Sequence, residues 1–139
     1  HGWRDWYAIN ADHPPLWQHW TRKVTDPRWR GPEGAKLSLT LKSPQDNELT
    51  LVVIENEWRS YRGPRRTFEC VKKIAGGGAA QTLTLGVEDF RETPGGGRLS
   101  SWRQLDQLGL CGHYGGADRP TWRGPAPEFV RLEWKSGRP

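Results

Sequence analysis

Leu37, Leu39 and Leu41 alternate with Lys36, Ser38, Thr40 and Lys42. A strict period of two places the three leucines on one side of an extended chain and the polar residues on the other. Such a segment reads as a strand with one face on a core and one on water or ligand. The rhythm returns at Leu83, Leu85 and Val87 and again at Leu108 and Leu110, while Leu49–Ile54 is a continuous apolar run suited to a central strand. Arg66–Ile74 and Glu128–Lys135 add two strands, and the aromatic segment His1–Asn10 supplies a short first one. Turn residues separate them: Pro14-Pro15, Ser43–Glu48, Gly76-Gly77-Gly78 and Pro94–Gly97. Leu16–Thr21 is expected to wrap over one end. Strands at this spacing without a long helix predict an all-β fold, a two-sheet antiparallel β-sandwich. Leu37, Leu39, Leu41, Leu51, Val53, Leu83, Leu85, Leu108, Leu110 and Leu132 are the expected core.

The 139 residues suffice for one domain, 1–139, with a proper core. Hydrophobic residues make up only 34%, and nine tryptophans replace much of the missing aliphatic mass. Trp buries a large area and carries an N–H, so it serves both cores and binding faces. No apolar run approaches the roughly 20 residues of a membrane helix, and no signal peptide is visible, which fits a mature secreted chain or an excised domain. The net charge of +5 is spread along the chain apart from a cluster at Arg59, Arg62, Arg65 and Arg66. That cluster reads as a solvated loop or as a site for an anion such as a uronic acid, a sulfated glycan or phosphate. Nucleic acid is not expected, since no helix-turn-helix, zinc-finger or RRM pattern is present. Cys70 and Cys111 allow one intrachain pairing, and a disulfide and two buried free thiols both fit the pattern.

The stretch Gln81–Tyr114 carries a resemblance. Its Gln-Thr-Leu-Thr-Leu strand is followed by Asp89-Phe90, then Ser101-Trp102 and Leu105 in a short helical turn capped by Ser100 or Ser101, then Leu108-Gly109-Leu110. This pattern resembles the carbohydrate-binding-module-like, galactose-binding-like jelly rolls appended to secreted bacterial polysaccharide-degrading enzymes. The resemblance implies a jelly-roll topology and a non-catalytic domain. Its partners would be a polysaccharide or oligosaccharide and a neighbouring catalytic domain, in an extracellular or periplasmic setting. It also implies a structural calcium ion, for which Asp5, Asp12, Asp26 and Glu133 are candidate ligands, although no EF-hand spacing accompanies them.

Sugar rings present apolar C–H faces on which flat aromatic side chains stack, with Arg, Asn, Asp and Gln binding the hydroxyls. Trp29, Trp58, Tyr61 and Trp122 fall in or beside loops, and Asn56, Arg59 and Arg62 flank them. The expected ligand site is therefore the Glu55–Arg66 loop together with the Gly115–Pro127 loop, with Trp102 and Trp134 facing inward. The sheet face carrying Lys36, Thr40 and His113 is the fallback. Glu55, Glu57, Asp89 and Asp106 offer carboxylates for a glycosidase, but carboxylates at strand ends near so many arginines are more simply salt-bridged. A first-position His1 followed by Gly2 matches the opening of a copper monooxygenase family, with His13, His19 or His113 as partner. The rest of that pattern is missing, and no copper site is expected.

Overall fold

In the computed structural model, residues 6–9, 14–22, 24, 34–56, 63–93, 95–116 and 118–135 are described. They form an all-β structure of two antiparallel sheets. The strands are β1 (Trp6–Ile9), β2 (Gln18–Thr21), β3 (Lys36–Lys42), β4 (Asn47–Glu55), β5 (Arg66–Ile74), β6 (Gln81–Leu85), β7 (Arg91–Glu92), β8 (Leu105–Cys111) and β9 (Glu128–Lys135). A six-stranded sheet runs in the order β1-β2-β8-β4-β5-β7 and a three-stranded sheet in the order β6-β3-β9.

The alternation read from the sequence lands on the core side of both sheets. In the smaller sheet Leu37, Leu39 and Leu41 stand opposite Leu85, Leu83 and Gln81 on β6, and Leu39 stands opposite Leu132 on β9. In the larger sheet Leu51 is flanked by Cys70 and Leu110, and Val53 by Phe68 and Leu108. These side chains join one hydrophobic cluster to which both sheets contribute. Every expected core residue is buried except Leu83, which is half-buried on edge strand β6. Trp102 closes the cluster, as expected, with its indole N–H donating to the Ala35 carbonyl at 2.9 Å. Trp134 packs edge-on against it, with ring centroids 5.1 Å apart.

Two local expectations change. Gln18–Thr21 does not wrap over an end: it pairs with β1 on one side and β8 on the other and so belongs to the sheet interior. The Ser101–Leu105 turn is a single hydrogen-bonded bend, in which Leu105 N–H donates to the Trp102 carbonyl and Arg103 N–H to the Ser101 hydroxyl.

The cysteine question resolves through register. Cys70 and Cys111 lie on the two strands flanking β4, but Cys70 stands opposite Leu51 and Cys111 opposite Thr50. Neighbouring residues of a strand point to opposite faces, so the two sulfurs lie on opposite sides of the sheet. Both are free and buried. Burial pushes both thiols upward from their ordinary range, which makes them poor nucleophiles.

Part of the face of the large sheet turned away from the core is buried too. Trp20, Val52, Ile54 and Cys111 form a second apolar cluster there, with Tyr114 packed against it. The Trp20 ring lies on Gly109: a Cβ at that position would come within 2.6 Å of the ring carbons. Glycine in this strand is thus required by the close approach of a neighbouring side chain.

Two outcomes follow. Gly109→Ala should destabilise the protein by about 1–3 kcal/mol, the usual cost of overpacking, in denaturant titration. A reductant should leave the melting temperature unchanged, and a thiol reagent should count both cysteines only after unfolding.

Candidate functional site

The outer face of the large sheet is covered over one part and open over another. One lateral row of residues crosses all six strands, reading Tyr7, Trp20, Gly109, Val52, Glu69 and Arg91 from β1 to β7. Over β5 the chain that follows β8 folds back: Arg119 forms an ion pair with Glu69. The Thr93 hydroxyl donates to the other Glu69 carboxylate oxygen at 2.7 Å. Glu69 is only 8% exposed, and a carboxylate so buried needs both partners.

Where this covering segment stops, a groove of about 200 Å³ opens, lined by Tyr7, Ile9, Gln18, Trp20, Ile54, Arg65, Gln107 and Tyr114. Its walls are held by side-chain hydrogen bonds. The Tyr7 hydroxyl donates to Gln107 Oε1 at 2.7 Å, and the Arg22 guanidinium sits 5.7 Å from the centre of the Tyr7 ring. Trp20 Nε1–H donates to Gln18 Oε1 at 2.9 Å, and Gln18 Nε2 donates to the His113 carbonyl at 2.9 Å. Tyr114 meets the Trp20 ring edge-on at 5.9 Å. Among the described residues Tyr7 is the exposed large aromatic, at 40%. An aromatic ring with its hydroxyl anchored, beside two more aromatics, two amides and an arginine, has the donors, acceptors and flat apolar faces that sugar rings need.

The residues singled out from sequence fare differently. Trp29, Trp58, Arg59, Tyr61 and Arg62 lie outside the described residues, as does Glu57. Trp122 is not a surface ring: it is 1% exposed, packs edge-on against Trp17 at 5.3 Å and donates from its indole to the Pro125 carbonyl at 2.7 Å. The cause is tethering on both sides. Trp122 N–H donates to the Gly112 carbonyl, and the next residue, Arg123, is bound through its backbone to the Asn47 side chain. The residue held between those points turns into the core.

Asn56 is also buried, at 3%, with a left-handed φ of 58°. Its amide donates to the Pro64 carbonyl at 3.0 Å and to Gln104 Oε1 at 3.2 Å. It is therefore a buried link between segments rather than a surface amide. Asparagine tolerates this backbone conformation better than most residues.

The fallback face divides between the sheets. Lys36 and Thr40 lie on the outer side of the three-stranded sheet, where Thr40 meets Thr82 at 2.9 Å. His113 follows β8 of the other sheet, its ring nitrogens 3.1 and 3.2 Å from the Pro120 and Gly115 carbonyls.

Among the candidate carboxylates, Asp89 accepts from Gly86 N–H at 2.8 Å and lies 3.6 Å from Lys72. Asp106 is 1% exposed. Of the candidate metal ligands, Asp5, Asp12, Asp26, His1 and His13 lie outside the described residues. Glu133 lies 3.5 Å from Arg131, and His19 packs between Trp17 and Phe129. Among the described residues no three His, Cys, Asp or Glu side chains come together. No helix among them is long and apolar enough to cross a membrane.

The groove residues Tyr7, Gln18, Trp20, Gln107 and Tyr114 went unrecognised in the sequence. The available signal was the spacing of Tyr7 and Ile9, and of Gln18 and Trp20, each pair two apart and so on one face of its strand.

No protein family, curated protein or solved structure matches the chain.

Glu55 gives this region a pH signature. Burial pushes its carboxyl above the usual range; Arg66 opposes this and Glu92 adds to it. Arg66 is itself held by Glu92 through two hydrogen bonds, at 3.0 and 2.7 Å. A carboxyl with a raised folded-state pKa contributes stability that is present at low pH and lost as pH rises through that raised value. Glu88 and Glu92, held low by Lys36 and Arg66, act in the opposite sense. Glu55→Gln should therefore gain in stability relative to the parent protein as pH is raised from about 5 to about 8. Denaturant titration at the two pH values reads this directly, and a pH-independent difference would contradict it.

Proposed function

We propose that the chain is a non-catalytic carbohydrate-binding domain that takes an oligosaccharide or polysaccharide chain along the outer-face groove. The single observation that carries this reading is Tyr7. An exposed aromatic ring is anchored through its hydroxyl to Gln107, next to Trp20 and Tyr114. Stacking requires a flat face held still, and a pre-anchored ring loses little freedom on binding. Gln18, Gln107 and Arg65 supply donors and acceptors for hydroxyls along the same line.

The groove runs from β1 across β2 and β8 to β4, about 14 Å at the usual strand spacing. It is shallow, which suits a chain lying across the sheet better than a single enclosed ring. Residues 57–62, which include Trp58, Arg59, Tyr61 and Arg62, lie between Asn56 and Gly63 in the chain. Arg65, two residues on from Gly63, already lines the groove.

In this reading the fold is a jelly-roll sandwich of the galactose-binding-like kind. The chain crosses between the two sheets from β2 to β3, β3 to β4, β5 to β6, β6 to β7 and β8 to β9, which supports that assignment. The setting would be a secreted bacterial polysaccharide-degrading enzyme, with this domain holding the substrate near a catalytic neighbour and a calcium ion serving only structure.

Tyr7→Ala should weaken binding to a responsive polysaccharide about thirtyfold, the loss of one central aromatic anchor, while leaving the melting temperature nearly unchanged. Affinity electrophoresis on a polysaccharide panel, followed by calorimetry, tests this. Retained affinity in Tyr7→Ala and Tyr114→Ala variants of normal stability would sink the groove as the site.

A further inference from the structure

Where the β3–β4 turn, the ends of β4 and β5, the start of β6 and the segment 120–123 meet, a cavity of about 680 Å³ is lined by Asp46, Asn47, Glu48, Lys73, Ile74, Ala75, Gln81, Pro120, Thr121 and Arg123. It lies at the opposite end of β4 from the groove residue Ile54, about 20 Å from it along the strand. Its frame is rigid. The Asn47 side chain bonds both backbone groups of Arg123, donating to the carbonyl at 2.9 Å and accepting from N–H at 2.7 Å. The Gln81 side chain does the same to Ala75, at 2.7 and 2.9 Å. Asp46 Oδ1 accepts from Gly76 N–H at 2.7 Å. Three separate segments are thus locked around one space by side chains that imitate backbone pairing.

Inside this frame, among the described residues, the charged side chains do not neutralise one another, and only Asp46 is engaged, through the Gly76 N–H. Glu48 and Lys73 are register partners on β4 and β5, yet among the described residues neither they nor Arg123 form an ion pair. Two carboxylates and two cations line the cavity in equal number. An anionic ligand would meet the carboxylates and a cationic one the lysine and arginine. A neutral ligand that offers donors and acceptors on neighbouring carbons can use both sets at once, and Ile74, Ala75 and Pro120 offer an apolar surface for its C–H groups. We infer that this cavity is a second, separate binding site that takes a single neutral polyhydroxylated unit, a sugar ring or polyol, through paired contacts of adjacent hydroxyls with Asp46 or Glu48 and with Lys73 or Arg123. The inference stands on this cavity alone and does not need the groove to bind anything.

The test is amide NMR on the intact chain titrated with glucose and with mannitol, with glycine and inorganic sulfate as comparators. The expected result is saturable shifts at Lys73, Ala75, Thr121 and Arg123 with a dissociation constant on the order of millimolar to tens of millimolar. The affinity should fall at least fivefold in each of Lys73→Ala and Arg123→Ala, both exposed positions whose replacement leaves the fold intact. Tyr7→Ala should leave these shifts unchanged, so failure of the groove and failure of the cavity are told apart. Absence of saturable shifts with both glucose and mannitol would overturn the inference. So would saturation by sulfate or glycine alone, which would make the cavity an anion or zwitterion site.

Discussion

Strand β4 is buried on both of its faces, and the rest of the structure is arranged around that fact. Of its nine residues only Glu48 is exposed, and the neighbouring β8 is buried along its whole length. An antiparallel sheet ordinarily leaves one face to water. Here the inner face meets the leucines of the smaller sheet, while the outer face meets Trp20 and the covering segment that follows β8. Burial on the outer side requires that segment to be held down, and the Arg119–Glu69 ion pair, the Gln18–His113 hydrogen bond and the Tyr114–Trp20 contact hold it. Removing one partner would strand a buried charge, which costs far more than the pair itself contributes.

The groove is the boundary of that cover. Covered residues such as Val52 and Cys111 are fully buried, whereas Tyr7 and Ile9 on edge strand β1 are exposed. Trp20 stands at the border, flat on Gly109 and edge-on to Tyr114, so the wall of the groove is also part of the second core. Stability and the proposed binding are therefore coupled at Trp20 and separable at Tyr7, which makes Tyr7 the informative position for testing that proposal.

Amide side chains do much of the work of fixing the loops. Asn47, Asn56 and Gln81 each bond backbone groups of another segment, replacing ladder bonds where no strand is available. Loops carry unsatisfied backbone donors and acceptors, and an amide offers one donor and one acceptor in the geometry of a peptide group. Two of the three frame the charged cavity, and the third ties Asn56 to Pro64 and Gln104.

Apart from β2 and β7 the strands, with nine of the ten core positions and the inward set of Trp102, were legible in the sequence, because a period of two and intervening turn residues report backbone geometry directly. The KLSLTLK segment could scarcely have adopted another local structure. Chain proximity in three dimensions was not legible. Trp122 looks like a loop aromatic until Asn47, far away in sequence, clamps its neighbour and turns the ring inward. β8 reads as LDQLGLC, a half-polar strand, yet is wholly buried, because the cover comes from a segment held by distant partners, among them Glu69 and Gln18. Cys70 and Cys111 admit a disulfide on paper and are excluded from it by register alone. Local pattern determines which residues of a strand share a face. Which face is covered, and by what, depends on contacts between segments far apart in the chain, and only the tertiary structure decides those.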